Sequence, residues 1–291
     1  METGPTAPGD AQVKEFSDIS GGSITSMHCG GIITKLYEIE SLEELHKLLE
    51  RFDDFLIIGS GTNMIFSQKR FETPVIKLGT AFEYIKIEDN ETISVGAATG
   101  IRKLLAFCEK NGLSGIEFMA GIPGFLGGSI TMNAGTKDQG ILEKVDQVEL
   151  ADKHGIHTLR ADEIPFGYRT GGIPDRTVIC KAHFRLKKKN ETAVRKSIQS
   201  YLLKRRHQPG GYSCGCIFKN PSGTSAGWLI DKAGLKGIRI GGAKISEIHA
   251  NYIINEGNAT PADIIHLMDM IKSEVKQKFD IELSEEVRIV G

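Results

Sequence analysis

The residues best suited to chemistry in this sequence lie in two glycine-rich stretches, GSGTN (59–63) and GIPGFLGGSITMNAG (121–135). Glycine tolerates positive φ and lets another group approach the main chain closely. Successive main-chain N–H groups then form a concave nest for an anion. Taken singly, each stretch also reads as a tight turn between packed strands. Neither is a P-loop, because no Gly-Lys-Ser/Thr follows. Neither opens a helix as G-x-G-x-x-G with an acidic residue about 20 positions on. Two such stretches, roughly 60 residues apart, suit a long ligand with a diphosphate held from both sides. The pair Cys214 and Cys216 offers two sulfurs without a partner cluster, which is poor zinc ligation, so no metal is expected. The basic run KRRH (204–207) sits where a helix should end, a place where cations complement the helix dipole.

The elements that must position these residues show in the apolar pattern. SLEELHKLLERF (41–52) places Leu42, Leu45, Leu48, Leu49 and Phe52 on one helical face, with Ser41 and Glu44 as an expected capping box. Strands are expected at 55–58, 75–78, 92–95 and 178–186, and a hairpin at 145–159 turning at DKHG. Helices are expected at 101–110, stopped by Asn111-Gly112, at 191–206, at 226–232 with Gly234 as cap, and from Thr260-Pro261 to about Phe279. The strands and helices mix without a regular β-α-β-α rhythm, which predicts α+β. The polar run KKKNE (187–191) marks an expected boundary.

The whole chain limits the function classes. It has 291 residues, enough for one large domain or two to three small ones. Lys+Arg total 36 against 37 Asp+Glu, a net charge of -1, which argues against a general nucleic-acid or membrane-surface binder. No apolar run approaches the roughly 18–20 residues that span a bilayer. The opening METGPTAPGDAQVKEF lacks the basic and apolar regions of a signal peptide and reads as a floppy start. The cysteines Cys29, Cys108, Cys180, Cys214 and Cys216 are odd in number and scattered. They form no disulfide framework and point to a reducing, cytoplasmic compartment.

Seven segments in order carry a family resemblance: IGSGTNMI (58–65), GIEFMAGIPGFLGGSITMNAG (115–135), PFGYR (165–169), CGCIFKNP (214–221), AGWLIDKAGLKGIRIGGAKIS (226–246), HANYIIN (249–255) and EVRIVG (286–291). The sequence resembles the UDP-N-acetylenolpyruvoylglucosamine reductases (MurB), in their shorter form. The first two segments alone would indicate only a flavin domain of the vanillyl-alcohol-oxidase/PCMH type; the last five are more specific.

The resemblance implies a two-part FAD-binding region and a C-terminal α+β substrate domain. The expected division is 1–79 with 286–291, then 80–190, then 191–285. It implies that Gly59, Ser60, Gly61, Thr62, Asn63 and Met64 hold FAD together with Gly121, Gly124, Gly127, Gly128 and Ser129. It implies that NADPH reduces FAD and that hydride then passes to an enolpyruvyl double bond on a UDP-linked sugar. Arg169 would hold the substrate carboxylate as a bidentate fork. Glu286 would act as acid or charge partner; the E-V-R spacing selects it over Glu285. Cys216 stands where the family usually has a proton-donating serine. An unperturbed thiol has a pKa of about 8.5, so Cys216 is expected to donate readily and to become thiolate at mildly alkaline pH. Tyr168, Lys219, Asn220 and Arg288 would contact the substrate. His207 replaces a lysine common in the family, which leaves Lys204, Arg205 or Arg206 as the diphosphate's cation. His249 is read as structural. A monomer is expected. Two other readings stand beside it: another FAD oxidoreductase of this fold acting on a small alcohol, and a flavin- or nucleotide-binding protein without turnover.

Overall fold

The computed structural model describes residues 13–291. The first region contains β1 (Lys14–Ser20), β2 (Gly30–Ile39), α1 (Leu42–Arg51), β3 (Leu56–Ile57), β4 (Met64–Phe71) and β5 (Val75–Leu78). The second runs through β6 (Ile85–Ile87), β7 (Thr92–Gly96), α2 (Ile101–Lys110), β8 (Leu113–Ser114), α3 (Leu126–Thr131), β9 (Val145–Asp152), β10 (Gly155–Arg160), β11 (Val178–Arg185), β12 (Lys187–Lys188) and α4 (Glu191–Arg205). The third holds α5 (Ala226–Lys232), β13 (Arg239–Ile240), β14 (Ala243–Ile245), β15 (Ile253–Asn255) and α6 (Pro261–Phe279), after which β16 (Arg288–Val290) returns to the first sheet.

The first sheet has the order β16-β4-β2-β5-β3, with β1 antiparallel on β2. Its other pairings are parallel. The second sheet, β10-β9-β11-β7-β6, is antiparallel throughout. A small antiparallel sheet β13-β14-β15 belongs to the third region.

Three apolar cores hold these layers. One lies between the two larger sheets and takes in Leu45 and Leu49 of α1, Leu104 and Cys108 of α2, and Val194 and Ile198 of α4. A second fills the outer side of the first sheet around Ile33, Phe66 and Val75. The third joins α5 and α6 to Ile217, Phe218, Met27 and Ile65. Helix α4 therefore packs with the second region, although its sequence falls after the expected boundary at 190.

Local signals explain most helix ends. Thr260 Oγ1 accepts from Asp263 N–H at 3.2 Å and Asp263 Oδ2 accepts from Thr260 N–H at 2.9 Å, so α6 starts on a full capping box. The box expected on α1 is only half formed. Ser41 Oγ accepts from Glu44 N–H, but the Glu44 carboxylate takes the N–H of Glu40 instead of that of Ser41. The floppy start also needs correction: Lys14–Phe16 are part of β1, paired along β2 by main-chain bonds; the remainder of that expectation, 1–12, lies outside the described residues. Strands β2 and β4, absent from the sequence reading, are the longest partners in the first sheet.

Among the described residues no helix is long and apolar enough to cross a membrane. All five cysteines are free thiols.

Candidate active site

The two glycine stretches meet across one cavity of about 930 Å³, at the large end of small-molecule sites. Gly59, Ser60, Gly61, Thr62, Asn63 and Met64 form one wall, between β3 and β4. Gly121, Gly124, Gly127, Gly128 and Ser129 form another, where the chain turns into α3. Arg169, Cys216, Glu286 and Arg288 line the same cavity, with Arg205 and Tyr252 beside them.

The walls fit an anionic, nucleotide-sized group. Among the described residues, none of the main-chain N–H groups of Gly59 to Asn63 is bonded to another protein group, which leaves a row of donors at the cavity wall. Gly61 has φ +64°, and a Cβ there would overlap the Ile24 carbonyl oxygen. Gly124 has φ +131°; both conformations favour glycine. A Cβ on Gly128 would meet no protein atom within 4 Å, so that side of the loop is open for a ligand.

Arg169 sits in a turn between Gly167 and Thr170, closed by Gly167 N–H donating to Thr170 O at 2.9 Å. Its own φ is +55°, a left-handed conformation unusual for a residue with a Cβ. Its guanidinium donates from Nη2 to Gly135 O at 3.2 Å. Nε lies 2.7 Å from Glu286 Oε1, with side-chain exposures of 18% and 15%. This is a close ion pair, but the Nε–H does not aim along it and has no hydrogen-bond acceptor. The guanidinium is thus anchored at one nitrogen and underused at another.

Glu286 is fixed by its main chain. Its N–H donates to Ile217 O at 2.7 Å, and Asn63 Nδ2 donates to its carbonyl at 2.9 Å. The next link is Arg288 N–H donating to Asn63 O at 3.1 Å. Burial raises the Glu286 carboxyl above the usual carboxylate range, opposed by Arg169 and Lys219.

Cys216 lines the cavity together with Glu286, Arg169, Arg205 and Tyr252. The expectation of a readily formed thiolate is corrected here. Burial, helped by the negative Glu286, pushes the thiol up to about 12, against the pull of Arg169, Arg205 and the Tyr252 hydroxyl. Cys216 holds its proton through the mildly alkaline range.

Tyr168, Lys219 and Asn220 do not line this cavity. The Tyr168 hydroxyl accepts from Asn220 Nδ2 at 3.1 Å, and Asn220 Oδ1 accepts from Ala226 N–H at 3.1 Å, at the start of α5. Of the three cations considered near His207, Arg205 alone reaches the cavity. Arg206 donates to His207 at 2.9 Å, and Lys204 lies over the Tyr201 ring at 4.9 Å. Sequence reasoning missed Tyr252 and the segment 173–177, which also lines the cavity. Tyr252 lies inside the quoted HANYIIN, but nothing in its spacing marks one aromatic as different from a core residue. Among the described residues no group of three or more His, Cys, Asp or Glu side chains could hold a metal ion.

Two family models match: an FAD binding domain over residues 35–160, and the C-terminal domain of UDP-N-acetylenolpyruvoylglucosamine reductase over residues 207–290. The chain is 37% identical to the UDP-N-acetylenolpyruvoylglucosamine reductase of Syntrophobacter fumaroxidans, covering 92% of this chain and 81% of that protein. It is 34% identical to the Bacillus subtilis protein of the same name, covering 92% and 91%. The crystal structure of the Thermus caldophilus reductase superposes with a TM-score of 0.86 at 30% identity, covering 96% of this chain and 99% of that one.

The chain belongs to the UDP-N-acetylenolpyruvoylglucosamine reductase family.

Membership in this reductase family makes the chain an oxidoreductase and settles the α+β fold with its FAD-binding region. It removes the reading as a small-alcohol oxidase. FAD is the family's cofactor, and both glycine stretches lie where the FAD binding domain match and the cavity coincide or adjoin.

Proposed function

We propose that this chain reduces the double bond of UDP-N-acetylglucosamine enolpyruvate to give UDP-N-acetylmuramate for peptidoglycan precursors, with NADPH as reductant. The observation that supports this most is the meeting of Arg169, Glu286 and Cys216 on the wall of a cavity otherwise built from two glycine stretches. The two glycine stretches would hold FAD, which when bound and reduced by NADPH would supply the hydride. Hydride addition to the terminal carbon of the C=C bond leaves negative charge on the carbon beside the carboxylate. The charge spreads into that carboxylate, and Arg169 stabilises it through its forked N–H donors. The unused Nε–H is one such donor. Burial makes Glu286 take up a proton more readily than an exposed glutamate, so it serves as charge partner to Arg169 at rest and as acid toward the enolate once protonated.

Cys216 gives its S–H proton to the carbon and is left as thiolate, flanked by Arg169 and Arg205. Solvent returns the proton. The substrate has then gained one hydride and one proton, and NADPH has become NADP+. In the same reading Arg205 supplies the cation that His207 does not, Arg288 contacts substrate, and Tyr168, Lys219 and Asn220 contact its outer sugar-diphosphate portion. The division 1–79 with 286–291, 80–190 and 191–285 belongs to this reading, with α4 transferred to the second part because Val194 and Ile198 pack there. So does a cytoplasmic location.

An anaerobic titration tests the proposal. The protein should be yellow, bleach with NADPH, and regain colour on addition of UDP-N-acetylglucosamine enolpyruvate. A protein that bleaches and stays colourless with that substrate would overturn the substrate assignment. The binding-protein reading without turnover makes that same forecast.

A further inference from the structure

Arg169 holds a left-handed conformation, φ +55°, which a residue with a Cβ keeps only where its surroundings impose it. The surroundings that do so belong to the end of the second glycine stretch. Asn133 follows α3, is 5% exposed and has φ +40°, a region asparagine enters more readily than most residues. Its Nδ2 donates to Gly167 O at 2.9 Å, and its Oδ1 accepts from Leu142 N–H at 3.0 Å. An N–H can only donate and a carbonyl oxygen only accept, so these two partners fix which way the amide points. A Cβ on Gly140 would lie 2.2 Å from Oδ1, so the amide is also boxed in by packing. Gly167 O takes a second bond from Thr170 N–H at 3.2 Å, which closes the turn that carries Arg169.

Two further bonds join the same segments. Gly171 N–H donates to Thr131 O at 3.0 Å, and Arg169 Nη2 donates to Gly135 O at 3.2 Å. The turn 167–170 and the residue after it thus rest on 131–135 through three bonds, and Asn133 makes the one that reaches the peptide ahead of Arg169. Asn133 does not itself line the cavity, so it acts on the site through what it holds.

Resting on the reading above, we propose that Asn133 is a positioning residue for Arg169. Its amide grips the Gly167 peptide, keeps the left-handed turn, and so holds the guanidinium beside Glu286, with the unused Nε–H free for the substrate carboxylate. Without that grip the turn can relax toward an ordinary φ, and the fork leaves its place.

The test uses the FAD-loaded protein. Asn133→Asp keeps an acceptor for Leu142 N–H and tolerates the left-handed φ, but loses the donor to Gly167 O. Asn133→Gly also accepts that φ and adds no charge, so it serves if the buried carboxylate blocks folding. Calorimetry compares UDP-N-acetylmuramate, which carries the carboxylate, with UDP-N-acetylglucosamine, which lacks it. Each variant should bind the first about tenfold more weakly, the size of one lost hydrogen bond, and the second as wild type does. In rapid mixing, bleaching by NADPH should be unchanged and recolouring by UDP-N-acetylglucosamine enolpyruvate about tenfold slower. A residue that only supports the loop would weaken both ligands alike or release FAD; either result overturns the proposal, as does unchanged preference for the carboxylate. In Arg169→Ala/Asn133→Asp the ratio of the two affinities should stay that of Arg169→Ala alone, because Asn133 acts through Arg169; a further fall overturns it. If wild-type protein bleaches but never recolours, the functional reading has failed. If it recolours and both variants do so equally fast, only the inference about Asn133 has failed.

Discussion

Cys216 differs from a free thiol because burial and four neighbouring groups act on it at once. In Cys216→Ala, bleaching by NADPH should proceed at the wild-type rate, while recolouring by substrate slows by roughly 10²–10⁴, the usual share of a general acid; single-turnover absorbance reads both steps. Glu286 gives a pH signature. Its folded pKa is raised, so above the unfolded glutamate value the folded state binds more protons than the unfolded one. Stability from this group is fully present below the unfolded pKa and is lost as pH rises through the folded one. Urea midpoints of wild type and Glu286→Gln, measured between about pH 4 and pH 7, should therefore show the wild type losing ground to the variant as pH rises. Arg169, Cys216 and Glu286 were legible as neighbours at one cavity wall because each sits in a short motif. The acidity of the thiol was not, since burial and the nearness of Glu286 arise only when residues 70 positions apart in sequence meet.

The helices were the most legible elements, and for local reasons. α2, α5 and α6 begin and end where cap residues and apolar spacing put them, because those signals act within one turn. β2 and β4 were missed. β2 alternates poorly, its burial following no two-residue period, and β4 begins directly after what reads as a glycine turn. The half-formed box on α1 shows a carboxylate taking the N–H of Glu40, one residue before the cap. At this scale the clamp made by Asn251 matters most: its Oδ1 accepts from Phe218 N–H at 2.9 Å and its Nδ2 donates to Phe218 O at 2.8 Å. Asn251→Ala leaves the Phe218 N–H and C=O buried without partners and should cost about 2–4 kcal/mol, seen as a lower thermal midpoint. Recolouring should slow with it, because the segment carrying Cys216 loses its register, while NADPH bleaching is spared.

Across the whole molecule, residues 286–291 tie the regions together: β16 lies parallel to β4, and Glu286 N–H reaches Ile217. Removing 286–291 should lower the thermal midpoint and abolish recolouring, while the third core around α5 and α6 persists as protected amides in hydrogen exchange. The anchors of the two charges have a wider consequence. Arg169 is held by Gly135, at the end of one glycine stretch, and Glu286 by Asn63, at the end of the other. In the proposed function each of these charges thus hangs from a different half of the cofactor cradle. Occupation of the cradle and capture of the substrate's carboxylate are therefore two arms of one thermodynamic cycle. Whatever factor FAD contributes to the affinity for a carboxylate-bearing substrate analogue, the analogue must return to FAD. Isothermal titrations run in either order should give the same cooperativity, greater than one, and replacing Asn63 with alanine should bring it toward unity.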